Sequence, residues 1–333
     1  MIRSSRVPLC SLWLKLLEAQ PWESIVRIAI LCSVTVVGLQ ACAAEADKSA
    51  AQAVDSTATP AVAIDWTKVD SALGRTGTMQ PGDVRRYGMP RSDLRVTAAG
   101  VSIKPAFALG SWIAFKAHGN GAVAMGDLVL THEELAPVLA RLQEGGVQQT
   151  AIHHHIIQEA PRIVYVHLHG HGDPVSVATT VRAALGLTGT PAPAPTSPPS
   201  TQPLGIDTTA ITSALGHGGR INGGVWQVSV PRAETITSDG FEIPPSMGLG
   251  TAINFQPTGG GKAAITGDFV LIGTEVNPVI KALSDNRITV TSLHNHLLDE
   301  NPRLFFMHFW ANDDAVTLAR GLKAALDLTN SRR

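Results

Sequence analysis

The sequence contains the same domain twice. Ile64-Asp65 through Ser71-Ala72-Leu73-Gly74 recurs as Ile206-Asp207 through Ser213-Ala214-Leu215-Gly216. Gly126-Asp127-Leu128-Val129-Leu130 recurs 141 positions later as Gly267-Asp268-Phe269-Val270-Leu271. Pro161-Arg162 and Ala183-Ala184-Leu185 return at the same spacing as Pro302-Arg303 and Ala324-Ala325-Leu326. A period this long and this regular predicts one fold built in tandem. The domains are expected at 64–188 and 206–329. Each, near 120 residues, is large enough to bury roughly two-thirds of its unfolded surface. Between them, residues 189–205 hold six prolines, the composition of a semi-rigid linker.

Hydrophobic period and capping residues give the elements. A short helix is expected around Val69 to Leu73, and Val123 to Leu130 reads as a strand. Thr131-His132-Glu133-Glu134 has capping-box spacing ahead of Leu135, Val138, Leu139 and Leu142, and that helix stops at Gly145-Gly146. Val276, Val279, Ile280 and Leu283 repeat it. Two β-rich runs follow, and Asp173-Pro174 supplies N-cap and first turn of a closing helix. The expected class is therefore α+β, each domain a mixed or antiparallel sheet with two or three helices.

Nine of the twelve histidines lie in the two equivalent β segments. Both copies keep the pattern H-x-H-x11-H: His153, His155 and His167, then His294, His296 and His308. Alternate residues of a strand share a face. If residues 158–162 close a tight hairpin, His155 falls opposite His167 and His153 opposite His169, so three imidazoles meet on one patch in each repeat. That donor set suits a divalent metal, zinc among the candidates. The other reading is a hydrogen-bonding role on a half-buried sheet. His154, His169 and His171 of the first copy become Asn295, Trp310 and Asn312 in the second, so the two patches need not be equal. Glu159 and Glu300, in the two turns, are the candidate catalytic carboxylates: a general base beside a metal, or solvated turn residues. Asp127 and Asp268, each after a glycine, read as turn formers at a strand start.

Other motifs exclude more than they suggest. Gly259-Gly260-Gly261-Lys262 lacks the trailing Ser or Thr of a phosphate loop, and no G-x-S-x-G elbow occurs. Net charge is -1 and aromatics are few, so no nucleic-acid surface is expected. Trp112 and Trp226 read as core residues. All three cysteines, Cys10, Cys32 and Cys42, lie in the first 42 positions, so no thiolate metal site can form beyond them. Ile28 to Leu39 is an apolar run too short for a membrane span but suited to a secretory signal, and Leu39-Gln40-Ala41-Cys42 resembles a lipobox. The expectation is a signal segment over 1–41, lipidation of Cys42, and a flexible tether over 42–63 that anchors an exported chain to the cell envelope. A signal cut near Ala44 or Ala46, or an uncleaved anchor, is the alternative.

Leu293-His294-Asn295-His296-Leu297-Leu298, Glu300-Asn301-Pro302-Arg303 and Phe306-Met307-His308-Phe309-Trp310 resemble the bacterial LppY/LpqO lipoprotein family. The resemblance covers roughly residues 64–329, and implies a duplicated domain of unknown function and a lipoprotein signal. It supplies no activity. Three functional classes follow: an envelope protein that binds or senses a metal through a site in each repeat, a metal-dependent hydrolase of an envelope ester, amide or glycan, or a structural envelope module. The partners expected are the membrane, through Cys42, and an envelope ligand of unknown kind.

Overall fold

Asp65 and Asp207, matched by the repeat, each begin a helix by accepting backbone N–H groups. Asp65 accepts from Thr67, and Asp207 from Thr209 and Ala210. The same two helices end at Gly74 and Gly216, whose φ angles of 72° and 78° place them in the left-handed region that glycine enters without strain. The computed structural model describes residues 63–193 and 203–332, so the signal segment, Cys42, nearly all of the tether and the middle of the linker lie outside the described residues.

The first repeat opens with α1 (Trp66–Leu73), β1 (Thr78–Gln80), β2 (Val84–Pro90), β3 (Thr97–Ala98), β4 (Val101–Ser102) and α2 (Pro105–Ala108). It continues through β5 (Gly110–His118), β6 (Gly121–Leu130), α3 (His132–Glu144), β7 (Gln148–His153), β8 (Glu159–Ala160), β9 (Val164–Gly172) and α4 (Pro174–Leu185). The second repeat opens with α5 (Thr208–Leu215), β10 (Arg220–Asn222), β11 (Val225–Pro231), β12 (Thr237–Ser238) and β13 (Phe241–Glu242). It closes with β14 (Gly250–Gly259), β15 (Lys262–Ile272), α6 (Gly273–Asp285), β16 (Thr289–His294), β17 (Leu304–Asp314) and α7 (Ala315–Leu326). Each repeat carries one six-stranded antiparallel sheet, ordered β1-β2-β5-β6-β9-β7 in the first and β10-β11-β14-β15-β17-β16 in the second. This is the α+β class expected. Among the described residues no helix is long and apolar enough to cross a membrane.

Side-chain alternation divides each sheet into two buried faces. In β6, Ala122, Ala124, Leu128 and Leu130 join Val138, Leu142, Ala178 and Val181 of the helices. The opposite face of the same strand sends Val123 and Met125 into a cluster with Phe241, Met247, Val270 and Phe306 of the second repeat. A further shared cluster joins Phe107, Val129 and Tyr165 to Val225 and Ala264. The layers therefore run helices, sheet, sheet, helices, and both repeats belong to one compact body. Burial on both faces explains why β6 is apolar almost throughout, unlike a half-solvated antiparallel strand.

Two corrections concern the histidine segments. The residues after β7 do not make a tight hairpin. They leave the sheet, and β8 pairs instead with β3, Ala160 opposite Thr97. The register also differs: His153 faces Tyr165 and Ala151 faces His167, so His155 lies beyond the strand end. The loop sets that register, and a β-bulge at Thr150, matched by one at Thr291 in the second repeat, shifts the far end of the strand by one residue more. A bulge re-aims a side chain, and both threonines use it in the same way. Thr150 Oγ1 donates to the His296 carbonyl and Thr291 Oγ1 to the His155 carbonyl, each at 2.6 Å across the repeat interface.

A buried arginine fastens each sheet to its helices. Arg91 donates to the Val129 carbonyl and to both oxygens of Glu134, and Arg232 does the same to Val270 and Glu275. Arg91 is 1% exposed and pairs with the half-buried Glu134 and with Asp93, so removing it leaves both carboxylates without their cation. Arg91→Ala is expected to lower stability by about 3–5 kcal/mol in denaturant unfolding. Thr291→Val, which deletes one cross-repeat hydrogen bond, is expected to lower it by about 1 kcal/mol.

Candidate metal centre between the repeats

β9 and β17 each aim alternate side chains at the opposite sheet, and β6 and β15 lie beside them. His167 stands opposite Asp127 in the ladder, and His308 opposite Asp268. His153 and His155 arrive from the end of β7, and His294 and His296 from the end of β16. The face-to-face packing of the sheets brings all six histidines together. Stacked or tilted ring pairs cross the interface at 3.8 Å: His153 with His294, His155 with His308, and His167 with His296. The two patches expected separately are thus halves of one cluster related by an approximate two-fold.

Three overlapping triads have donor atoms close enough together to hold an ion: His153, His155 and His167; His153, His294 and His308; and His167, His294 and His296. Asp127 and Asp268 belong to the same cluster. Asp127 Oδ2 lies 3.6 Å from His155 Nε2, and Asp268 Oδ2 lies 3.0 Å from His296 Nε2. Neither is a turn former at a strand start. Both sit mid-strand with their side chains enclosed, and Asp127 is 5% exposed. The sequence signal for them was the repeated Gly-Asp pair, whose glycine is needed because a Cβ at Gly126 or Gly267 would strike the neighbouring strand's backbone.

The surroundings fix the rings. His308 Nδ1 binds the Gly267 carbonyl at 2.6 Å, and His167 makes the matching backbone hydrogen bond to Gly126. His296 Nδ1 lies 3.2 Å from the Gly248 carbonyl. Such outer contacts set the tautomer and leave Nε2 as a lone-pair donor, as they do for histidines that bind metals. Tyr165 stacks on His155 and Phe306 on His296, both at 3.4 Å. Even so, eight buried atoms have no hydrogen-bond partner: His153 Nδ1, His155 Nε2, His167 Nε2, both ring nitrogens of His294, His296 Nε2, and one oxygen each of Asp127 and Asp268. An unsatisfied buried polar group costs about 1–3 kcal/mol, so a concentration of them demands an explanation.

The remaining candidates are placed elsewhere. Glu159 Oε1 accepts from the Ile163 N–H and Glu300 Oε1 from the Leu304 N–H, so both carboxylates brace the loops that follow β7 and β16. Burial pushes the Glu159 carboxyl up to about 7, against the pull of the Ile163 N–H and Arg162. His154 turns away to the Ile163 carbonyl, while Asn295 in its place donates to the Thr150 and Leu297 carbonyls. His169 is buried on the interface face with Nε2 unpartnered, and His171 is exposed near His118. Trp112 carries the Arg86 guanidinium 3.7 Å above its ring.

Burial favours the neutral imidazole form at His153, His155, His167, His294 and His308. Desolvation lowers His153 to about 2 and drives His155, His167, His294 and His308 below the usual histidine range; neighbouring imidazoles add to the effect, and at His308 the Asp268 charge and the Gly267 carbonyl oppose it. Desolvation, then the Asp268 charge, raises Asp127. The unfolded chain therefore binds more protons than the folded one below about pH 6.5. Metal-free protein is expected to be most stable above that pH. It should lose stability progressively as pH falls from there toward 4. Asp127 and Glu159 shift the opposite way, but two carboxyls are outnumbered by five imidazoles. Denaturant unfolding of chelator-treated protein between pH 4 and 8 checks this, and a flat profile would contradict it.

No curated protein matches this sequence significantly. One solved structure, a trimeric bacterial microcompartment shell protein, PduB, aligns over 76% of this chain and 90% of its own. The identity is 12% and the TM-score 0.21, too low to carry an argument about fold or function. The family model described as Domain of Unknown Function (DUF1259) matches twice, over residues 67–187 and 209–328, and the chain belongs to that family.

Proposed function

We propose that this chain is a divalent-metal-binding protein of the cell envelope whose metal centre lies between its two repeats. One observation carries the reading: six histidines and two aspartates gathered from both repeats leave eight buried nitrogen and oxygen atoms without a hydrogen-bond partner. Imidazole and carboxylate donors of this kind suit zinc and neighbouring divalent metals. No cysteine lies beyond residue 42, which does not favour a soft thiolate-bound ion. The residues that would hold the ion are His153, His155, His167, His294, His296 and His308, with Asp127 and Asp268 beside them. The role proposed is metal binding or sensing.

The envelope part of the reading rests on sequence. The apolar run before Cys42 and the lipobox-like Leu39-Gln40-Ala41-Cys42 support export and a lipid anchor at Cys42, as does the resemblance to the LppY/LpqO lipoproteins. Glu159 and Glu300 would serve this centre by holding the loops that carry His155 and His296, since each carboxylate is already engaged with backbone.

Elemental analysis of the purified chain is expected to find at least one divalent ion per molecule, with less in His155→Ala and His296→Ala. Chelation should lower the melting temperature and zinc should restore it. At free zinc near one hundred times the dissociation constant the gain is about 2.7 kcal/mol. A chain that carries no metal and melts alike with and without zinc would rule the proposal out.

A further inference from the structure

Resting on that reading, we infer that the centre holds two divalent ions per chain, and that each ion draws its ligands from both repeats. One ion takes His153, His155 and Asp127 from the first repeat and His308 from the second. The other takes His294, His296 and Asp268 from the second repeat and His167 from the first.

Donor number and symmetry favour two ions over one. Six imidazoles and two carboxylates exceed the four ligands of a tetrahedral site, and the duplication supplies two equivalent sets. Distances then decide how the sets divide. Two donors bonded to one tetrahedral ion at roughly 2.0–2.1 Å stand about 3.3 Å apart. His153 Nε2 lies 3.3 Å from His308 Nε2. The pair His155 Nε2 and Asp127 Oδ2, at 3.6 Å, supplies the other two donors of this set. In the second set, His296 Nε2 and Asp268 Oδ2 are 3.0 Å apart, and the donor atoms of His167, His294 and His296 lie within 4.8 Å of one another.

Assignment within one repeat is open to the first, whose His153, His155 and His167 donors also lie within 4.8 Å of one another, but the second repeat's own three histidines form no such triad. The His153 ring is nearly equidistant from the two third histidines, 5.0 Å from His167 and 5.3 Å from His308. The second histidine of each pair breaks the tie. His155 lies 3.8 Å from His308, and His296 lies 3.8 Å from His167, both across the interface. The bulge threonines fix this exchange, because each holds the backbone of the other repeat's second histidine. Four protein donors close a tetrahedral site, so each ion also ties the two sheets together.

The test is ion content of the full chain, stripped with chelator, dialysed against zinc and measured by mass spectrometry with protein quantitation. Two ions per chain are expected. One ion would overturn the paired centre while leaving metal binding intact, and none would overturn both. Two double variants then distinguish the ligand sets. Asp127→Asn with His308→Gln should retain one ion, because both changes strike the same site. Asp127→Asn with His167→Gln should retain none, because they strike different sites. The reverse pattern would overturn the exchange in favour of one site per repeat. Far-UV circular dichroism checks that the variants fold. If either fails, cobalt(II) loaded into the unaltered chain gives an independent reading: magnetically coupled spins are expected, and isolated high-spin cobalt would overturn the paired centre.

Discussion

Polar groups placed between two packed sheets must find partners, and the architecture of this chain follows from how it meets that demand. Each sheet turns one face to its own helices and the other to its duplicate, so no face of the central strands is left for water. Most of the interface is apolar. At its centre, however, six imidazoles and two carboxylates are enclosed with too few hydrogen-bond partners. Neutral imidazole is the form that such an interior tolerates, and it is also the form that binds metal. The desolvation that would otherwise destabilise the interface thereby prepares the donors.

Duplication gives the centre its symmetry, and small asymmetries show where it is not required. Arg91 and Arg232, Thr150 and Thr291, Asp127 and Asp268, and the stacked Tyr165 and Phe306 are matched pairs in matched roles. Outside the centre the repeats diverge. His169 corresponds to Trp310, which packs edge-on against Phe107 of the other repeat. His154 and Asn295 both serve backbone carbonyls, so either residue satisfies the same loop.

Helices and their ends were legible because the signals are local. Capping residues and the i, i+3, i+4 period act within a few positions, and Thr131 and Asp173 cap as their sequence predicts, while Asp65 starts the opening helix three residues before its expected place. The six histidines stood out because both copies keep their spacing. Asp127 and Asp268 were misread for an equally local reason: aspartate after glycine usually marks a turn, and only strand pairing shows them opposite His167 and His308. The strand register was missed because the loop after β7 pairs with β3 through contacts about sixty residues apart in sequence, which no local signal reveals.

By itself, then, the sequence determined that one α+β domain is built twice and that each copy carries an H-x-H and a third histidine. Repetition and periodicity are properties of the chain order, and no packing is needed to read them. The tertiary structure decided that the two copies share one centre instead of keeping two. Which faces bury against each other depends on long-range packing of both sheets, and the bulges at Thr150 and Thr291 set which repeat's histidines meet. The same packing turned a plain Gly-Asp repeat into a pair of buried carboxylates at that centre.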